Sequence, residues 1–157
     1  FVRELKIWAS IRHLNVLPLV GFYLSDNYEI AQLVSPFMAN GNVTQYIFGT
    51  KPGREKRFGF ICDIAAGIDF LHNHSPPICH GDLKPANVLV SDSYEATLCD
   101  FGLASLADMS GASSGLTTSQ SMKGSIRYMS PELMLETDGK HTLASDVWAW
   151  ACTAFEV

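Results

Sequence analysis

The chain has 157 residues, with 11 Lys and Arg against 16 Asp and Glu for a formal net charge of −5, and it is 47% hydrophobic and 17% charged. Such a composition fits one soluble globular domain, or most of one, and excludes disordered and collagen-like chains. The mild acid excess is spread along the chain, which leaves no basic footprint for nucleic acid and no polybasic membrane patch.

Cys62, Cys79, Cys99 and Cys152 stand far apart with no C-x-x-C pair. That spacing fits free thiols in a reducing, intracellular compartment better than a disulfide framework or a structural zinc. The longest uncharged run, 30–50, carries Gln32, Ser35, Pro36, Asn40, Gly41, Asn42 and Gln45, too many polar groups for a membrane span. No Met or signal peptide opens the chain, and it closes on the helix-like run Trp148 to Val157, so it reads as an internal piece of a longer protein.

Phe1, Leu5, Trp8 and Ile11 recur at helical spacing, predicting an amphipathic helix that runs toward Asn15 and stops before Pro18. Apolar runs at 17–24 and 28–34, separated by Ser25-Asp26-Asn27, read as an antiparallel strand pair. Asn42 is placed to cap a short helix through Phe48. From Arg57, the positions Phe58, Ile61, Ala65, Ile68 and Leu71 predict a longer amphipathic helix that ends at His72 to Pro77. Two short strands, 87–90 and 95–99, flank a turn at Ser91-Asp92-Ser93. Residues 105–121, rich in Ser, Gly, Thr and Ala, read as a mobile surface loop. Ser130-Pro131-Glu132 starts a short helix, and a largely apolar, centrally placed helix begins near Ser145. The balance is α+β, with helices dominating after Asn42.

A turn centred near Ser93 would set residue 87 opposite residue 100, so Asn87 and Asp100 should converge at the open end of one hairpin. An amide oxygen and a carboxylate are hard oxygen ligands of the kind Mg²⁺ accepts. Asp82 stands five residues before Asn87, in His80-Gly81-Asp82-Leu83-Lys84-Pro85-Ala86-Asn87, and Asp100 opens Asp100-Phe101-Gly102. In order, spacing and residue type these two motifs resemble the catalytic loop and the metal-binding turn of protein kinases.

The resemblance implies a bilobal, kinase-like α+β fold that uses ATP and Mg²⁺ and acts on a protein substrate. In it Asp82 accepts or orients the acceptor hydroxyl, Lys84 steadies the transferring phosphate, and Asn87 and Asp100 hold Mg²⁺. Residues 124–132, Gly-Ser-Ile-Arg-Tyr-Met-Ser-Pro-Glu, resemble the end of a kinase activation segment, with Ser130 in place of the usual alanine. Ser145-Asp146-Val147-Trp148 resembles the start of the central large-lobe helix, where Asp146 would anchor the catalytic loop. Glu4 sits on the apolar stripe of the first helix, as a boundary residue reaching solvent or, by resemblance, as the glutamate that pairs with a lysine of a preceding strand to align the nucleotide. Residues 33–41 resemble the hinge between lobes, with Ser35 as gatekeeper and Pro36 and Met38 facing adenine; Leu89 joins them as a nucleotide-binding position. On this resemblance 1–35 belong to the small lobe, 36–41 to the hinge and 42–157 to the large lobe.

Gly81 stands where the family usually has an arginine that pairs with a phosphate on the activation loop, so activation through that pair is not expected. Ser113, Ser114, Thr117, Thr118, Ser119 and Ser121 are either modification sites or plain linker. His72, His74, Cys79 and His80 imitate a zinc cluster, but the resemblance gives His80 a packing role beneath Phe101. Cys99 is either a reactive thiol near the nucleotide or a small buried hydrophobe. Lys84 in Asp82-Leu83-Lys84-Pro85 is similar to serine/threonine kinases, and the nearest group is the tyrosine-kinase-like one. The Gly-rich phosphate loop and the strand lysine of the family have no counterpart in these residues, so this polypeptide by itself is expected to be inactive. The resemblance places the domain in the cytoplasm or on the cytoplasmic side of a larger membrane protein. The competing reading is a pseudokinase that binds partners without transferring phosphate.

Overall fold

The computed structural model describes residues 2–101, 104–106, 126–135 and 140–157. The expectations that concern Ser113 to Ser121, Gly102 and Gly124-Ser125 lie outside these residues. The described part is α+β, with five helices and three separate antiparallel strand pairs.

Helix α1, Val2–Ser10, ends earlier than its apolar spacing predicts. Ile7, Trp8 and Ile11 bury the stripe, but past Ser10 the backbone is claimed by tertiary partners. Asn15 accepts the Leu98 N–H at 2.9 Å and donates from Nδ2 to the Ala96 carbonyl at 2.9 Å, and Leu17 N–H reaches the Leu98 carbonyl at 2.8 Å. A helical continuation would forfeit all three bonds. Strands β1 (Gly21–Leu24) and β2 (Ala31–Val34) pair as expected, Gly21 opposite Val34, though both are shorter than their apolar runs.

Asn42 caps α2 (Val43–Thr50) with a reciprocal box: its Oδ1 accepts from Gln45 N, and its own N–H donates to Gln45 Oε1, each at 2.9 Å. Helix α3, Arg54–His72, starts three residues before the predicted Arg57 and buries Phe60, Ile64, Gly67, Ile68 and Leu71. Ile68 and Leu71 are buried as predicted, but the N-terminal half of the stripe is rotated: Phe58 is 66% exposed, while Phe60 is fully buried. Both series satisfy helical periodicity, and only the position of the neighbouring strands selects between them. Each large side chain so buried stabilises by roughly 1.5–3 kcal/mol.

Strand β3 (Ile78–Cys79) follows, then a 3₁₀ turn at Pro85–Asn87, then the hairpin β4 (Val88–Val90) and β5 (Ala96–Leu98). Its register pairs Val88 with Leu98, which sets Asn87 opposite Cys99, not Asp100 as predicted; Cys99 N–H donates to the Asn87 carbonyl at 3.0 Å. The register is centred on Ser93 itself, whereas opposing 87 and 100 needs a centre between Ser93 and Tyr94. Ser91 N–H donates to the Glu95 carbonyl and Tyr94 N–H to the Ser91 carbonyl, so Asp92-Ser93-Tyr94 form a three-residue loop with Tyr94 left-handed at φ +62°.

Ser105–Leu106, expected in a loop, form β6 and pair with β3. Helix α4, Pro131–Leu135, begins with Pro as predicted. Helix α5, Leu143–Glu156, starts two residues before Ser145 and is capped by Thr142 in a second reciprocal box with Ser145. It packs on α3 and buries Ser145, Asp146, Ala149 and Thr153. No described helix is long and apolar enough to cross a membrane.

Candidate active site

The loop between β3 and β4 is held from below by one carboxylate. Asp146, in the first turn of α5, is almost wholly buried. Its Oδ2 accepts the His80 backbone N–H at 2.7 Å and His72 Nε2 at 3.0 Å, while Oδ1 accepts the Gly81 N–H at 2.9 Å. Burial pushes the Asp146 pKa up, but the bond from His72, the nearby His80 and the two amides outweigh it, and the carboxyl stays below its ordinary value. Gly81 adopts φ +81°, a conformation that glycine takes at no steric cost. The same buried group keeps neighbouring His141 under opposing influences: burial lowers its pKa and prevails over the pull of Asp146 and Asp82.

His80 lies fully buried above this anchor. Asp82 N–H donates to its Nδ1 at 3.3 Å, which places the ring proton on Nε2, the atom 3.1 Å from the Cys99 carbonyl. Its ring meets Phe101 at 5.3 Å between centroids, and Phe101 meets Trp8 of α1 at 5.8 Å. His72, His74 and His80 thus each have a structural partner, His74 Nδ1 being 2.9 Å from the Pro76 carbonyl.

Asp82 is the focus of the loop. Its Oδ2 is 2.5 Å from Lys84 Nζ and accepts from Asn87 Nδ2 at 3.0 Å, and Asn87 Nδ2 also donates to the Asp82 carbonyl at 2.8 Å. With its nitrogen committed to Asp82, Asn87 has its amide oxygen as the atom able to meet a cation. Asp100 follows the Asn87–Cys99 pair by one residue and takes φ +64°, a strained conformation for a non-glycine residue. One amide oxygen and one carboxylate at the end of a hairpin are a donor set suited to Mg²⁺ with phosphate oxygens and water. Cys99 is half-buried, and that burial, together with the Asp100 charge, raises its thiol pKa to about 12.

Ser35 and Met38 are half-buried, Pro36 is exposed, and Leu89 is half-buried in β4, where Asn42 of the connector forms a bridge to it. Glu4 lies in α1, but its side chain is outside those described. The sequence reading missed two relationships: the ring contact of Trp8 with Phe101, and Glu156, whose carboxylate accepts from Arg127 Nη1 at 3.0 Å and from the Tyr128 hydroxyl at 2.8 Å. Glu156 gave one signal, as the lone carboxylate in the apolar last turns of α5.

The family model for the protein kinase domain matches residues 1–157, and the chain belongs to that family. It is 35% identical to the putative L-type lectin-domain containing receptor kinase I.4 of Arabidopsis thaliana, covering 100% of this chain and 23% of that protein. Receptor-interacting serine/threonine-protein kinase 3 of Rattus norvegicus is 34% identical over 99% of this chain and 33% of its own length. Chitin elicitor receptor kinase 1 of Arabidopsis thaliana is 30% identical over 100% of this chain and 24% of its own. The chain therefore spans a quarter to a third of the length of these curated relatives.

Proposed function

We propose that this chain is the central part of a serine/threonine kinase domain of the tyrosine-kinase-like group, which transfers the ATP γ-phosphoryl group to a protein hydroxyl. The observation that carries this reading is the carboxylate of Asp82, held between Lys84 Nζ and Asn87 Nδ2 at the mouth of the hairpin that ends in Asp100. Asp82 accepts the proton of the acceptor hydroxyl, or orients it, as the oxygen attacks phosphorus and ADP departs. Lys84 pairs with phosphate oxygens when the acceptor displaces it from Asp82. Asn87 and Asp100 would hold Mg²⁺, which supplies charge neutralisation at the phosphates. Ser35, Pro36, Met38 and Leu89 would line the adenine side, and Glu4 would align the nucleotide through a strand lysine. The serine/threonine preference rests on Lys84 and on the relatives whose names carry that specificity. A cytoplasmic setting, whether in a soluble protein or behind a receptor, accords with the free cysteines and the receptor-kinase relatives.

The test is phosphate transfer from ATP by the full-length protein that carries this chain, with casein as Ser/Thr acceptor and a Glu-Tyr copolymer as Tyr acceptor. Transfer to casein that falls about 10²- to 10⁴-fold in Asp82→Ala supports the assignment. A folded protein without transfer, or transfer indifferent to Asp82, replaces it with the partner-binding pseudokinase.

A further inference from the structure

Among the described residues β5 has a strand neighbour, β4, on one side only. Its other edge is nevertheless fully occupied. Ala96 and Leu98 turn their backbone groups away from β4, and the connector after α1 serves three of them. Leu98 N–H donates to the Asn15 carbonyl at 2.9 Å, the Leu98 carbonyl accepts Leu17 N–H at 2.8 Å, and the Ala96 carbonyl accepts Asn15 Nδ2 at 2.9 Å. The fourth group, the N–H of buried Ala96, is met from the large helix instead: it donates to Asp63 Oδ2 at 2.9 Å, from a half-buried carboxylate in the middle of α3. A strand edge buried in this way needs a partner for each polar group, and here a side chain supplies the last one.

Helix α3 follows the hairpin in order. Lys56 Nζ stands 5.0 Å from the Phe60 ring and 6.0 Å from the ring of Tyr94 at the turn, Asp63 meets Ala96, and Gly67 lies so close that a Cβ there would be 2.8 Å from Leu98 Cδ1. Residues 56, 60, 63 and 67 share one face of a helix. Ring contacts and a glycine fix how near the strand comes, whereas the directional bond to Asp63 fixes where it sits along α3. A leucine of similar size would keep the packing and leave the Ala96 N–H buried without an acceptor.

We infer that Asp63 is a positioning residue that takes the place of a neighbouring strand at the outer edge of β5 and so sets how far β5 reaches toward Asp100. The clamp itself stands independently of the kinase reading; its effect on Mg²⁺ rests on that reading, since Asp100 and Asn87 are the proposed ligands. Without the Asp63 bond, β5 and the residues after it leave their place on α3 for part of the time, and Mg²⁺ must select the fraction in which Asp100 stands beside Asn87. The Mg²⁺ concentration that half-saturates transfer then rises by the inverse of that fraction, while kcat at saturating Mg²⁺ is largely recovered.

The experiment compares Asp63→Leu with Asp63→Asn, whose amide oxygen still accepts from Ala96, in the full-length protein that carries this chain; Asp63→Ala replaces the leucine variant if that one does not fold. Amide exchange is read at Leu98 and Cys99, whose own acceptors, the Asn15 and Asn87 carbonyls, are untouched by the substitution. It should rise about tenfold in Asp63→Leu and stay within about twofold of wild type in Asp63→Asn, with α5 unchanged in both. Half-saturating Mg²⁺ should rise about five- to tenfold in Asp63→Leu alone, with kcat within about twofold. Unchanged exchange at Leu98 and Cys99, an equal rise across α5, or an asparagine variant as damaged as the leucine one overturns the inference. If the unsubstituted protein transfers no phosphate, the kinase reading fails by itself, and the exchange measurement still decides whether Asp63 holds β5.

Discussion

His80 and Asp146 are 66 residues apart in sequence, yet the backbone N–H of the first meets the carboxylate of the second at 2.7 Å. Asp146 thereby uses one buried side chain to set the backbone of two successive residues, His80 and Gly81, directly before Asp82. The geometry of the loop around Asp82 is thus a property of the α5 N-terminus as much as of the loop itself.

Asp146→Asn should cost about 2–4 kcal/mol in urea denaturation, because the amide nitrogen would face either a backbone N–H or His72 and leave a buried donor unpaired. The depressed pKa of Asp146 also fixes a pH dependence. Its stabilisation is complete above the unfolded value of about 3.9 and is lost as pH falls through the lower folded value. Wild type should therefore lose stability relative to Asp146→Asn only in that acid window, read from paired denaturation curves at stepped pH.

Gly67→Ala should destabilise by about 1–3 kcal/mol. A Cβ there would stand 2.8 Å from the Asn15 carbonyl oxygen and 2.8 Å from Leu98 Cδ1. The leucine can turn aside, but the carbonyl oxygen belongs to the bond that Leu98 N–H donates, so the connector after α1 must shift. Thermal unfolding gives the loss, and Gly59→Ala, where nothing lies within 4 Å, should be neutral or better.

Tyr128 and Glu156 should couple by about 0.5–1 kcal/mol in a double-mutant cycle of Tyr128→Phe and Glu156→Gln, a modest value because solvent reaches the pair. Burial first, then the bond to Glu156, pushes the tyrosine pKa up to about 12. That contribution is fully present below the ordinary tyrosine value and is lost as pH rises through about 12. Coupling of zero would mean that the segment ending at Ser130 is not held by α5.

Alkylation by iodoacetamide at pH 8 should mark Cys62 first and leave Cys79 and Cys99 at least about a hundredfold slower, as read by peptide mass spectrometry. Cys62 is exposed on α3, whereas burial raises the pKa of Cys79 and of Cys99, Cys79 with an added push from Asp146. Rapid labelling of Cys99 would show that the turn before Asp100 opens in solution.

The local motifs were legible because their chemistry is local. Asn42 needs only a neighbouring Gln45 to form its box, Pro131 needs only the missing N–H, and the pattern from His80 to Asn87 names the residues around Asp82. What the sequence by itself determined was the family, the α+β balance, two of the three strand pairs and the candidate residues. Only the tertiary structure decided which face of α3 is buried, Phe60 and not Phe58, because two helical stripes of similar hydrophobicity compete and long-range packing selects one. It likewise decided that Asn87 faces Cys99 and not Asp100, since the three-residue loop closed by left-handed Tyr94 centres the hairpin on Ser93, and no apolar pattern records where a turn is centred. The links of Trp8 to Phe101 and of Tyr128 to Glu156 join segments far apart in sequence, and such contacts exist only once the chain has closed on itself.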